Sequence, residues 1–278
     1  MGWLSGRARK RIPVFILSFN RLTVLRRAVR SFRRLVPWED LVILDNGSDY
    51  PPLLEWYRWF AKKGGTVLPG PPTGDDPDNL SRAAERIEDY KRHHAFDYYA
   101  VTDPDISLET ARRDSLEVYA RLLDENPEQV VAGPMLRIRD IPSFYPAREW
   151  ALFHHKRQFW SEPPTRFLSW KGKRIWYQVS GIDTTFAVMR RERVFQRAQP
   201  GLRVYRPCEA LHLDWYLDPD NLAEDQRLYA ERASGEIAHW CAEWFRRPPA
   251  ERLGPGERRI FDVERRGSDY RPVEVDLP

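Results

Sequence analysis

Short apolar runs alternate with amphipathic stretches through the first half of the chain. Residues 12–19 form an apolar run of strand length, and Leu22, Leu25, Val29 and Phe32 then recur at helical spacing among arginines. Residues 41–44 predict a second strand, closed by the turn sequence Asp45-Asn46-Gly47-Ser48. A helix is expected over 53–61, with Trp56 and Phe60 on one side, and a short third strand over 66–68. A helix at 80–90, a strand at 98–102, a helix at 113–123 and a strand at 129–132 follow. Such alternation implies βαβ units and a mostly parallel sheet with right-handed crossovers. Ligands bind such sheets beyond the carboxyl ends of the strands, which singles out residues 18–21, 45–48 and 103–105.

The second half is less regular. Residues 140–173 are rich in proline, aromatics and arginine, with one helix expected over 148–159. Strands are expected at 174–179 and 184–189, a short helix at 191–198 and a longer one at 221–233. From residue 247 the prolines, glycines and charges show little periodicity, which predicts a surface tail. No linker divides the chain, so the expectation is one domain over 1–246, with halves 12–135 and 136–246, and a tail at 247–278.

Composition narrows the class. With 13% aromatic residues and 11 Trp in 278 residues, the chain is not a disordered one. Two distant cysteines, Cys208 and Cys241, exclude a disulfide scaffold and a thiolate-rich zinc module. No apolar run approaches the ~20 residues a bilayer requires. The basic start followed by residues 12–19 imitates a secretory leader, but Pro13 interrupts it and no small-residue cleavage site follows. Gly2 is not followed by Ser or Thr at position 6, as myristoylation prefers. A soluble, cytoplasmic protein is expected. Lys+Arg 45 against Asp+Glu 41 leaves a net charge of +4, an excess that allows a nucleic-acid partner without requiring one.

Asp103-Pro104-Asp105 is the first candidate for chemistry. Two carboxylates at i and i+2 after a buried strand can face one hard cation, and Mg2+ or Mn2+ then completes its shell with phosphate oxygens and water. The same spacing arises in solvated turns, as at Asp218-Pro219-Asp220. The place of Asp103 and Asp105 at the end of an apolar strand is what distinguishes them.

Three segments in order, Ile12-Pro-Val-Phe-Ile-Leu-Ser-Phe-Asn-Arg21, Leu41-Val-Ile-Leu-Asp45-Asn-Gly-Ser-Asp49 and Thr102-Asp103-Pro-Asp105, resemble the family-2 glycosyltransferases with the GT-A fold. The 58 residues from Asp45 to Asp103 fit the family's spacing, and the segment from Ser180 to Glu192 resembles its second-half turn, strand and Arg-Arg-Glu helix start. The resemblance spans residues 12–240. It implies an α/β fold of GT-A type, a Rossmann-like sandwich with a mostly parallel central sheet flanked by helices and an irregular C-terminal elaboration. It implies a metal-dependent glycosyltransferase that moves a sugar from a nucleoside-diphosphate sugar, with inversion, using a divalent cation (Mn2+ or Mg2+). Residues 12–135 would bind the nucleotide sugar and 136–246 the acceptor.

Position by position, the resemblance implies that Ser18, Asn20 and Arg21 line the nucleotide pocket and that Asp45 contacts base or ribose. Asp103 would meet ribose or metal, and Asp105 the diphosphate-bound metal. His239, beside Trp240, matches the late histidine that several GT-A enzymes recruit as a metal ligand; it is equally readable as packing against that tryptophan. Asp214, in His212-Leu-Asp-Trp-Tyr216, is expected to be the general base, because partial burial among His212, Trp215 and Tyr216 would raise its carboxyl pKa; the alternatives are the pair Glu224-Asp225, whose acids also suit a helix N-terminus, and then Asp183. His93-His94 and His154-His155 sit in charged helical surroundings that predict surface positions. Residues 167–177 interleave aromatics with positive charge, the pattern of a stacking surface or of a hairpin with one solvated face. The sequence does not name the acceptor, which would be a glycan, a protein, a small molecule or, as an alternative, a modified DNA base. A nucleotidyltransferase would share the strand-end carboxylates, but residues 18–22 lack its Gly-rich loop; a non-catalytic nucleic-acid-binding module would use the arginines and aromatics.

Overall fold

The computed structural model describes residues 11–71, 79–182, 185–196, 198–232 and 250–278. At its centre is a nine-stranded sheet. One half is parallel and runs, in space, β3 (Thr66–Pro69), β2 (Leu41–Asp45), β1 (Val14–Ser18) and β4 (Tyr98–Thr102). Next to β4 lies β9 (Phe186–Arg190), antiparallel both to β4 and to β6 (Val131–Pro134). Beyond β6, β10 (Gly201–Val204) is again parallel, and the hairpin of β8 (Lys173–Val179) and β7 (Arg166–Trp170) closes the edge. This is the Rossmann-like α/β sandwich of GT-A type that the sequence resemblance implies.

The continuous apolar runs are explained by burial on both faces, as parallel sheets require. Val14 and Ile16 of β1 face one core while Phe15 and Leu17 face the other; Leu41 and Ile43 of β2 divide from Val42 and Leu44 in the same way. Helices α1 (Leu22–Phe32), α2 (Pro51–Lys62) and α4 (Ser115–Glu125) cover the first face. Helix α3 (Asn79–His93) covers the second with Ala83, Ile87 and Tyr90. In α1 the buried Leu25, Ala28, Val29 and Phe32 reproduce the helical period of the sequence. The strand order turns back at β1, with β2 and β3 on one side of it and β4 on the other. The crevice beyond the carboxyl ends of β1 and β4 is therefore where this topology places a ligand.

Three expectations change. Residues 191–196 form a turn, a bend and irregular backbone instead of a helix; Phe195 is buried while Val194 is exposed, and no apolar stripe exists. His155, at the end of α5 (Arg148–His155), is buried against Trp215, 4.6 Å between ring centres, not at the surface. The tail holds a regular hairpin, β12 (Arg259–Arg266) and β13 (Asp269–Asp276), turning at Gly267 with φ 62°. Ile260 and Val263, with Leu277 just beyond, bury it in the main apolar core, and polar contacts add to that hold. Asp262 accepts from Arg139 at 2.8 Å, burial pushing its carboxyl up to about 6, and the Trp176 indole donates to the Tyr270 carbonyl at 2.8 Å. Among the described residues no helix is long and apolar enough to cross a membrane.

Candidate active site

The site grows from the loop after β1. Asn20 takes a left-handed conformation, φ 51°, which asparagine tolerates better than most residues. Its side chain ties this loop to the one after β2: Oδ1 accepts from the Asp49 and Tyr50 backbone at 2.9 and 3.0 Å, and Nδ2 donates to Asp49 at 2.7 Å. Asp45 is committed to the same junction. Its carboxylate accepts from the Gly47 and Ser48 backbone, from the Ser48 hydroxyl at 2.5 Å and from the Tyr57 hydroxyl at 2.8 Å. The Tyr57 hydroxyl also lies 2.8 Å from Ser18 Oγ, within one buried cluster. A carboxylate has about four lone-pair sites, so Asp45 shapes this loop with most of its capacity.

Held in this frame, Arg21 points into the crevice and is itself buried. It donates to Asp105 Oδ2 at 2.8 Å and, through its other terminal nitrogen, to Asp214 Oδ1. The ring of Tyr229, from α6 (Glu224–Arg232), covers the guanidinium at 4.6 Å.

Asp214 and His212 reach Asp105 through a short antiparallel pairing. In it β5 (Ile106–Ser107) meets β11 (Leu211–His212), Ile106 opposite His212, and the Leu213 N–H donates to the Asp105 carbonyl. His212 and Asp214, two residues apart, thus converge on Asp105, with one ligand atom of each within 4.8 Å of the others. The His212 ring stacks on Trp215, centres 4.7 Å apart. Burial opposes ionisation of both carboxyls. His212 and Arg21 outweigh it at Asp105 and hold that carboxyl below its ordinary range; at Asp214 burial wins, with Asp105 adding to it, and the carboxyl is pushed up.

Of the sequence-derived residues, Arg21, Asp105 and Asp214 come together here. Asp103 is half-buried and lies outside the cluster. Asp225 is buried, and both its oxygens are taken by Thr23 at the start of α1, one by the N–H at 2.7 Å and one by the hydroxyl at 2.6 Å. Glu224 is exposed and accepts from the Tyr50 hydroxyl at 3.1 Å. Asp183 and His239 lie outside the described residues. His212 enters the cluster without having been singled out as a ligand. Its place, at the end of β11 and just before the helical turn Leu213–Tyr216 that carries Asp214, leaves no periodic signal in the sequence.

Buried Asp105 Oδ1 has no hydrogen-bond partner among the described residues. A cluster of two carboxylates and one imidazole with such an oxygen fits a divalent cation such as Mn2+, which accepts both donor types. Arg21 lies on the same two carboxylates and would share them with the ion.

Neither a protein-family model nor a curated protein matches the sequence. Solved structures are similar at low identity. A mannosyltransferase from Pyrobaculum calidifontis, solved with GDP-Man and Mn2+, is 17% identical over 66% of this chain and 46% of its own, with a TM-score of 0.38. TarS residues 1–349 from S. aureus, solved with UDP-GlcNAc, is 14% identical over 83% of this chain and 69% of its own, TM-score 0.43. A cytidylyltransferase from Leptospira borgpetersenii is 13% identical over 45% and 54%, TM-score 0.33. This chain spans less than half the length of the mannosyltransferase. These likenesses are loose, and the chemistry of the site rests on the cluster itself.

Proposed function

We propose that this protein is a divalent-cation-dependent glycosyltransferase that takes a sugar from a nucleoside-diphosphate sugar and transfers it, with inversion, to an acceptor hydroxyl. The observation that carries this reading is the convergence of Asp105, His212 and Asp214 beyond the ends of β1 and β4. Those three residues would hold the cation, which when bound neutralises charge on the departing diphosphate. Arg21 keeps the two carboxylates together and gives the diphosphate a second positive group. Ser18, Asn20 and Asp45 set the shape of the loop around the nucleoside. Asp214 is placed with the ion, because it is buried and one of its oxygens already receives Arg21.

The acceptor proton then needs an accessible carboxylate. Glu224 is the exposed member of the Glu-Asp pair, while Asp225 is consumed at Thr23. Glu224→Gln is expected to lower kcat by ~10² or more, the worth of a positioned base, with donor affinity unchanged. Normal turnover by that variant would remove Glu224 from the mechanism.

The reading as a whole is tested by thermal unfolding. A ligand that binds only the native state raises Tm by mass action. GDP or UDP together with Mn2+ is expected to raise Tm well beyond the sum of either alone. Equal shifts with Mn2+ and with excess chelator would count against the cation role.

A further inference from the structure

The antiparallel pairing that builds the cluster continues away from it. From Asp105 the chain runs through β5 to Arg112, while the opposing segment runs back from His212 to Pro207; the Arg112 N–H donates to the Pro207 carbonyl at 2.9 Å. At this far end lies a groove of ≈ 580 Å³ between the start of α4, the β7–β8 turn and the C-terminal hairpin. Its walls bring Arg112 and Arg113 from one segment and Lys171 and Lys173 from another, with Tyr270 of β13 across from them. Lys173 Nζ lies 6.0 Å from the centre of the Tyr270 ring.

The charges do not cancel. Asp114 and Glu117 are the groove's acids against those four cations. Asp114 is engaged by Arg112 at 2.9 Å, by Lys171 at 2.7 Å and by the Trp170 indole at 2.9 Å. Arg113 is exposed, and among the described residues neither it nor Lys173 forms an ion pair. An open groove with a net positive charge and forked guanidinium groups matches a phosphate group. Its size lies in the ordinary range for small-molecule sites.

The groove and the buried cluster both lie beyond the carboxyl ends of strands at one edge of the sheet, since β4 and β10 run in the same direction. Helix α4 begins after the loop that leaves β4, and β8 begins beside the end of β10, with Tyr177 opposite Val204. The seven residues from Asp105 to Arg112 could separate the two by at most ~25 Å if fully extended. We propose that this groove binds a phosphate group carried by the acceptor, so that the hydroxyl to be glycosylated belongs to a molecule that also bears a phosphate. The identity of that molecule as acceptor rests on the sugar-transfer reading; the phosphate site does not.

The test titrates glycerol 3-phosphate into the full chain by calorimetry, with and without saturating GDP and Mn2+, and glycerol in parallel. Glycerol 3-phosphate is expected to bind in both conditions, at least ~10-fold more tightly than glycerol and more weakly at high salt. In R113A/K173A its affinity should fall ~10-fold or more, while R113K/K173R retains it and all three proteins melt alike. Equal binding of glycerol 3-phosphate by the wild type and R113A/K173A, or binding no tighter than glycerol, overturns the site. GDP–Mn2+ binding is read separately in the same proteins and should not change. Its absence in all of them, with glycerol 3-phosphate binding intact, would overturn the glycosyltransferase reading and leave the phosphate groove standing.

Discussion

Asp105→Asn is expected to lower turnover by ~10³ and to abolish the Mn2+ dependence of nucleoside-diphosphate binding. Asparagine keeps the shape of the side chain and removes its charge, so the effect isolates the carboxylate. The Asp105 side chain is buried where it meets Arg21 and lies beside His212 and Asp214. A cation that neutralises a leaving diphosphate contributes several kcal/mol to the transition state, and about 4 kcal/mol corresponds to ~10³ in rate. Asp103→Asn should cost far less, since Asp103 lies outside the cluster. The comparison is made on kcat at saturating donor and on GDP binding with and without Mn2+. An Asp105→Asn protein that still binds GDP in a Mn2+-dependent way would show that the ion is held elsewhere.

The sequence made β1, β2 and β4 legible because each is a short run with both faces buried, and α1 because its apolar stripe carries the helical period. The strand ends then followed from topology, and with them Arg21 and Asp105. What remained hidden was set by pairing between distant segments. His212 becomes a partner of Asp105 only through the β5–β11 contact, two residues on each side, too short to leave a periodic trace. The same holds for the C-terminal hairpin, whose Pro272 and interspersed charges conceal the alternation and whose partners are distant: the core around Ile260 and Val263, Arg139 at Asp262 and Trp176 at Tyr270.

Asp45 and Asp225 show the converse limit. Both match a carboxylate expected to do chemistry, and both are spent on local architecture, Asp45 within its own turn and Asp225 at the first turn of α1. Motif spacing marks where a carboxylate stands. It does not count the donors that tertiary structure brings to it.

Arg21→Met provides the other large effect, and it separates a cation site from a purely structural ion cluster. Methionine keeps much of the length of the side chain beneath Tyr229 but leaves Asp105 and Asp214 buried without the guanidinium that joins them. Removing one partner from a buried charge cluster costs 3–5 kcal/mol, on the order of 10 °C in Tm. If Asp105, His212 and Asp214 hold a divalent cation, the variant has lost the competitor for those carboxylates. Mn2+ should then raise the Tm of Arg21→Met by more than it raises that of the wild type, with the gain removed by chelator. Turnover should remain low even with Mn2+ restored, because the diphosphate has lost its second positive group. A variant destabilised as expected but indifferent to Mn2+ would mean that the three side chains exist to bury Arg21, and that the ion binds at another site.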